Sequence, residues 1–448
     1  MNIADRISVL YHYGMARRKR RWSGREELER WQEARVREHV RRVRRESAFY
    51  RELWGDRPSA EWREFPIIDK SVMMEKFDRL NTVGIRKEEA FALALQAERT
   101  RDFTPMIDGV TIGLSSGTSG NRGLFLVGRR ERRTWAGTVL AKVLPGPLSD
   151  GHRIAFFLRA DSNLYGTVGG GSLQFAFYDL MDPLALQLAR LGKQQPTLLV
   201  APPSMLRLLA EKQKEGKLAI RPERVVSVAE TLDPLDRGVV EEVFGQPLHQ
   251  VYQCTEGFLG ATCRHGTLHL NEDVVCVQKD YVDRERRKFV PIITDFSRTT
   301  QPIVRYRLND LLTELEGICP CGSPFMALEA IEGRCDDLYY LPALDGSGWV
   351  PVFPDYLARA VMAASPDIEE YQLVLHAPDR LNVRLRVSEA LRAEACRRVA
   401  ETIGELCGTM GCRTPSMEFT DYTFVPGSRK LRRVERRFRF DPDTGLVF

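Results

Sequence analysis

The chain has 448 residues, 43% hydrophobic and 28% charged, with a formal net charge of +5. That length exceeds a single compact core and predicts two or three packed units, while the composition excludes wholesale disorder. No run of about 18 apolar residues occurs, which argues against a membrane span. Residues 1–10 are also too short an apolar stretch for a signal peptide ahead of the basic run 17–21, so a cytoplasmic protein is expected.

The first hundred residues read as helices joined by turns. Arginine is concentrated between Arg17 and Arg51, with Trp31, Val36, Val40 and Val43 at helical spacing as inward positions. This is either a solvated amphipathic helix or, as the sharper alternative, a surface for nucleic acid. No aromatic or Gly-rich segment accompanies the basic run, which argues against nucleic acid. From Ile112 onward short apolar runs alternate with helical patterns. Segments 153–158, 197–200 and 224–228 read as buried strands, with an amphipathic helix over 203–214. Between Leu268 and Leu312 closely spaced strands follow. Beyond Gly333, segments 371–387, 391–407 and 417–425 give strand–helix–strand signals of their own and predict a small separate domain.

The strongest local signal is Ser115, Ser116, Gly117, Thr118, Ser119 and Gly120, followed by Asn121, Arg122 and Gly123. Such a turn offers backbone N–H groups and hydroxyls to phosphate oxygens, and glycine lets the backbone come close. No Gly-Lys-Ser/Thr closes it, so it is not a Walker loop. Composition alone leaves a plain surface turn equally open. Gly169, Gly170 and Gly171 could line a pocket or form a turn, and Phe258 and Leu259 could border an acceptor site or pack in the core. A second constellation is Cys263, His269, Cys319 and Cys321. Two thiols one residue apart can chelate one ion, and Cys with His in a set of four suits structural zinc. The alternatives are unconnected side chains, or His265 in the histidine place. Nine scattered cysteines do not suggest a closed disulfide framework.

The Ser-Ser-Gly-Thr-Ser-Gly turn resembles the phosphate loop of the adenylate-forming superfamily of acyl- and aryl-CoA ligases, adenylation domains and luciferases. Further blocks follow in that family's order: Ala229-Glu230 after a strand, Tyr252-Gln253-Cys254-Thr255-Glu256, Arg305-Tyr306-Arg307-Leu308-Asn309-Asp310, Gly333-Arg334-Cys335-Asp336-Asp337, and Lys430 near the C-terminus. Phe49-Tyr50-Arg51, Phe65-Pro66-Ile67-Ile68-Asp69-Lys70, Leu268-His269-Leu270-Asn271-Glu272-Asp273 and Cys319-Pro320-Cys321-Gly322 are similar to the phenylacetate-CoA ligases and to synthetases that adenylate a deazaflavin coenzyme.

The resemblance implies an α/β fold: a large multi-layer N-terminal domain with mostly parallel sheets plus a small α+β C-terminal domain. It implies a helical segment over 1–105, an adenylate-forming core over 106–335 and a mobile domain over 336–448, turning about Asp336. It also implies roles. Ser115, Ser116, Thr118 and Ser119, with Gly117 and Gly120, hold the outer phosphates of ATP; Ala229 and Glu230 flank the purine, and Tyr252 stacks on it. Thr255 touches the α-phosphate, Glu256 helps hold Mg²⁺, Asp310 accepts the ribose hydroxyls with Arg307 and Arg334 nearby, and Lys430 reaches the α-phosphate. The implied reaction joins AMP to a small-molecule acid, with an aryl carboxylate favoured and coenzyme A a further substrate. Adenylyl transfer to a hydroxyl, and a nucleotide-binding protein recruited to RNA, remain alternatives. Two departures matter. Asn121-Arg122-Gly123 replaces the family's lysine-bearing end of the loop. After the hinge, residues 338–349 replace a short Arg-Gly turn that builds the path for coenzyme A, which puts the thioester step in doubt.

Overall fold

The computed structural model describes residues 3–17, 22–115, 122–168, 172–427, 430–441 and 444–447. The chain divides into two compact units. The larger takes Met1–Leu232, Asp236–Leu308 and Leu312–Ala330; the smaller takes Asp233–Leu235, Asn309–Leu311 and Ile331–Phe448.

In the larger unit the arginine-rich stretch forms helix Arg25–Glu46, which buries Leu28, Gln32, Val36, His39, Val40 and Val43. Trp31 is half-buried against Trp22 and Phe296, with ring centroids 5.3 and 5.6 Å away. The arginines are matched within the helix: Arg25 to Glu29, Arg37 to Glu33 and Arg42 to Glu46 at four-residue spacing, and Arg35 to Glu38 at three. Exposed pairs of this kind add only about 0.3–0.5 kcal/mol each. They match four of the helix's eight arginines internally, which favours the solvated amphipathic helix over a nucleic-acid surface. The chain leaves this helix at Ser47, whose Oγ accepts from the Tyr50 amide and caps helix Ala48–Trp54.

A 12-stranded sheet forms the centre. Strands Leu173–Asp179, His152–Leu158, Leu198–Ala201, Arg224–Ser227 and Leu248–Cys254 lie side by side and parallel. Leu198, Leu199, Val200 and Ala201 are all buried, the unbroken apolar run that a strand covered on both faces requires. Helix Pro203–Lys214 follows directly, with proline at its start, where a missing N–H is harmless. Past Leu248–Cys254 the pairing turns antiparallel through Gly257–Thr262 and Leu268–Leu270. Residues 312–314 and 327–330 also join the sheet, as do Lys288–Asp295 and Val275–Asp283. Ahead of the sheet, Thr111–Leu114 and Leu124–Val127 form an antiparallel hairpin.

The smaller unit has a four-stranded sheet in the order Ser416–Asp421, Arg380–Arg386, Glu370–Ala377, Val434–Arg436, with its outer pairings parallel and its central one antiparallel. Helices Pro354–Ala364 and Glu389–Met410 pack on it through Leu357, Val361, Val399 and Ile403. The longer helix stops at Gly411, whose φ of 73° is the left-handed cap that glycine allows. Tyr339–Pro342 and Trp349–Val352 pair as a hairpin. The loop 338–349 noted in the sequence therefore lies mostly in this hairpin. Among the described residues, no helix is long and apolar enough to cross a membrane.

Candidate active site

The glycine-rich loop springs from the hairpin Thr111–Leu114/Leu124–Val127. At its mouth the Ser115 amide donates to the Gly123 carbonyl at 2.7 Å, and the Gly123 amide donates back to Ser115 Oγ at 2.7 Å. Ser116, Gly117, Thr118, Ser119 and Gly120 lie outside the described residues, as do Asn121 and Gly169, Gly170 and Gly171. Arg122, the cation next to the loop, is paired with Glu98. The cation at the loop's mouth is Lys70, whose Nζ donates to Ser115 Oγ at 3.1 Å.

Lys70 is aimed by its own segment. Asp69 caps helix Lys70–Glu75 by accepting from the Val72 amide at 2.9 Å. Ile68 bridges Tyr306 in parallel: its amide donates to the Arg305 carbonyl, and its carbonyl accepts from the Arg307 amide. Residues 65–70 are thus tied to strand Ile303–Arg307.

That strand presents Tyr306 to Glu256. The buried phenol donates to Glu256 Oε1 at 3.0 Å, and Thr255 Oγ1 donates to Oε2 at 2.8 Å. Burial first, and then the Glu256 carboxylate, push the Tyr306 phenol well above the usual tyrosine range, so it stays a donor. Successive strand residues face opposite ways. Arg307 accordingly turns to Asp280, with Nε 2.9 Å from Oδ2. Arg298 staples the parts together, donating to the Thr255 carbonyl at 3.2 Å and to the Leu126 carbonyl at 3.0 Å. Tyr252 is buried on strand Leu248–Cys254, and the Trp135 indole donates to the adjacent Gln253 at 3.0 Å. Ala229 has φ 69°, a left-handed position that glycine usually fills, which strains the turn after Arg224–Ser227. Glu230 accepts from the Ser204 amide at 3.3 Å, at the start of helix Pro203–Lys214. Phe258 and Leu259 are buried in the core.

The smaller unit carries Asp310, Arg334 and Lys430. Asn309, beside Asp310, donates to Asp336 at 2.6 Å, and its carbonyl accepts from the Cys335 amide at 2.9 Å. Arg334 is half-buried just before that amide. Lys430 lies outside the strands and helices, just ahead of residues that are anchored. Arg432 pairs with buried Asp337, and the Arg433 carbonyl accepts from the Leu373 amide at 2.7 Å.

In the larger unit, Cys263, His269, Cys319 and Cys321 converge, their ligand atoms all within 4.8 Å of one another. Cys263 Sγ and Cys319 Sγ are 3.8 Å apart, and Cys321 Sγ lies 3.4 Å from His269 Nε2. His269 Nδ1–H donates to the Phe325 carbonyl at 3.0 Å, which leaves Nε2 facing the thiols with its lone pair. The amides of His265 and Ser323 point at Cys263 Sγ and Cys321 Sγ, each at 3.4 Å. His265 stands outside the cluster, its ring accepting from Arg264. Burial works against ionising Cys319, but hydrogen bonds, first from Thr267 and then from the Cys321 amide, outweigh it and bring the thiol down to about 6.

Solved structures of ligases and synthetases are similar to this chain. No family model matches the chain, and no curated protein matches it. A crystal structure of 2-hydroxyisobutyryl-CoA ligase, in the postadenylation state with its acyl-AMP, aligns with a TM-score of 0.69 and 18% identity, over 92% of this chain and 89% of that one. The fold is that of the adenylate-forming ligases. An acyl acid amido synthetase aligns with a TM-score of 0.56 and 14% identity over 88% and 86% of the two chains. The amide bond synthetase McbA of Marinactinospora thermotolerans gives a TM-score of 0.51 and 15% identity over 73% and 69%. The adenylate-forming fold thus spans both units of this chain. Sequence reading assigned no role to Lys70, Tyr306 or Arg298. The segments 65–70 and 305–310 were visible as motifs, but their pairing with each other was not.

Proposed function

We propose that this chain is an ATP-dependent adenylate-forming ligase that activates an organic carboxylate. In the reaction a carboxylate oxygen of the substrate attacks the α-phosphorus of ATP, and the bond from that phosphorus to the bridging oxygen of pyrophosphate breaks. The products are an acyl-adenylate and Mg²⁺-bound pyrophosphate. The observation that carries this reading is Glu256, fixed between the hydroxyls of Thr255 and Tyr306 in a fold of this kind. Each carboxylate oxygen accepts one hydroxyl and keeps lone pairs outward, which suits a Mg²⁺ ion shared with phosphates. Ser115 to Gly120 and Lys70 are assigned the outer phosphates, Thr255 the α-phosphate, and Tyr252, Ala229 and Glu230 the adenine. Asp310 is assigned the ribose, with Arg334 beside it, and Lys430 of the smaller unit the developing charge at the α-phosphate. The guanidinium of Arg307 is engaged with Asp280, so its part is to hold the strand that carries Tyr306.

An aromatic group formed by strands His152–Leu158 and Leu173–Asp179 with the neighbouring helices supports an aryl or bulky acid. Phe156 lies 4.7 Å from Tyr165 and 5.9 Å from Phe175, and Tyr165 is 5.9 Å from Trp135. All four rings are half-buried, and Trp135, Phe156 and Phe175 pack against the core. The proposal stops at the acyl-adenylate, because residues 338–349 lack the Arg-Gly turn that the resemblance to the phenylacetate ligases implies after the hinge. Zinc belongs to the same proposal, as a structural ion. Tetrahedral zinc with Zn–S near 2.3 Å has S···S edges of about 3.8 Å, the separation found between Cys263 and Cys319. The His269 hydrogen bond to Phe325 is the outer support such a ligand needs. The ion would join the turn after Gly257–Thr262 to the 315–326 loop.

The test is ATP–pyrophosphate exchange over a panel of aryl and aliphatic acids, with Glu256→Ala and Lys430→Ala alongside. Acid-dependent exchange, reduced about 100- to 1,000-fold in kcat by loss of the Lys430 cation, is expected. Exchange driven only by hydroxyl acceptors would replace the acid by an alcohol. ATP binding without exchange under any acceptor would sink the enzymatic reading.

A further inference from the structure

Helix Ile3–Arg17 meets the larger unit along one face only. Val9 is buried there, Asp5 pairs with Arg129 and Arg133, and His12 shares a hydrogen bond with Thr134. The approach to helix Arg129–Val143 is close: a Cβ at Gly137 would sit 2.6 Å from the Val9 carbonyl oxygen and 2.7 Å from the Tyr13 amide nitrogen. That contact fixes which way the helix faces. The side turned outward is apolar. Ile7 is 62% exposed, Leu10 54%, Tyr11 62% and Met15 54%, at the spacing of one helical stripe.

Single exposed apolar side chains are ordinary, but a stripe of four on one helix is not. The charge beside it has one sign. Arg6 and Arg17 are exposed along the edge of the stripe. Asp5, the helix's one acid, is on the inner face and engaged with two arginines. In sequence, Arg17 also opens a run of basic residues that continues to Arg21.

We propose that the outward face of helix Ile3–Arg17 docks on an anionic lipid surface. Its four apolar side chains would enter the boundary between headgroups and acyl chains, and its arginines would meet lipid phosphates and carboxylates. An interfacial helix needs this combination, a narrow apolar face with adjoining cations, and neither signal alone holds a protein at a bilayer. A second copy of the chain fits less well. Four side chains fall short of the roughly 1,200 Å² that a stable protein interface buries, and a symmetric contact would bring like-charged arginines together. Docking of this kind adds a peripheral address to the protein and does not depend on the adenylation reading.

The experiment is flotation of the full chain with vesicles of phosphatidylcholine alone or mixed equally with phosphatidylserine, at low and high salt. Binding to the mixed vesicles at low salt, weakened by salt, is expected. Leu10→Asp with Met15→Asp should abolish it while the melting temperature stays that of the parent, because both positions face solvent. Arg6→Gln with Arg17→Gln should lower partition about thirtyfold, the effect of two interfacial cations. The proposal is overturned if the chain does not float with mixed vesicles, or if the Asp variant floats as well as the parent. It also fails if light scattering shows a dimer that the Asp variant dissociates without any vesicle binding.

Discussion

Removing one oxygen tests how Glu256 is held. In Tyr306→Phe the ring, its buried volume and the backbone pairing of strand Ile303–Arg307 with Ile68 and Lys288–Asp295 all remain. What goes is the hydroxyl 3.0 Å from Glu256 Oε1, leaving Thr255 as the carboxylate's one hydroxyl partner of the pair. A hydrogen bond to a charged group contributes about 1.5–3 kcal/mol. If that energy serves to aim the carboxylate at the metal and phosphates, kcat/KM falls roughly ten- to 150-fold by the same figure. Stability should move by less than about 1 kcal/mol, since half-buried Glu256 recovers the lost partner from water. ATP–pyrophosphate exchange gives the rate, a Mg²⁺ titration separates weaker ion binding from slower chemistry, and thermal melting monitors the fold. The phenol is a donor at every working pH, so the ratio of variant to parent should be independent of pH. Parent-like kcat/KM in a folded Tyr306→Phe, or a loss accounted for wholly by melting, would refute the argument that this hydroxyl orients Glu256.

Two further outcomes follow from the same structure. Metal analysis of the purified chain should find one zinc per chain, and Cys321→Ser should lose it together with several degrees of melting temperature, because the ion closes a loop that no disulfide holds; a parent that takes up no zinc from micromolar solution would count against the site. His39 is buried, and burial first, then Arg42 and Arg35, hold its ring down to about 3. Between pH 6.5 and 3 the unfolded chain therefore takes up a proton that the folded chain refuses, so stability is lost as pH falls through that window, by about 2 kcal/mol at pH 5. His39→Leu should narrow the gap between urea midpoints at pH 7 and pH 5; an unchanged gap would mean that His39 titrates as it does in the unfolded chain.

What the sequence made legible has a common physical character. The parallel strands announced themselves because burial on both faces demands unbroken apolar runs, as in Leu198 to Ala201. The cysteine cluster was legible because two thiols one residue apart seldom serve packing, and the structure brings to them Cys263 from the turn after Gly257–Thr262 and His269 from strand Leu268–Leu270. The order of motifs carried the fold even though sequence identity to the aligned ligases is at most 18%. Where the reading stopped, the missing quantity was always an orientation or a distant pairing. Arginine content alone could not separate a solvated helix from an RNA surface; the partner glutamates three and four residues away favour the solvated helix, and that needs the helix phase. The link from Lys70 to the phosphate loop was invisible because it depends on residues 65–70 lying against strand Ile303–Arg307. Arg305 reaches the Phe65 carbonyl 240 residues away, and no local pattern encodes such a contact.

Helix Ile3–Arg17 makes the same point from the other side. Its apolar residues fall at helical spacing on two faces, and periodicity treats both as candidates for burial. Gly137 breaks the tie, since its missing Cβ admits the Val9 and Tyr13 backbone and commits that face to the core. Ile7, Leu10, Tyr11 and Met15 are then left outside by geometry rather than by any preference of their own. A residue's hydrophobicity says that it gains by leaving water, but the close approach elsewhere on the helix determines whether its partner is this chain or another surface.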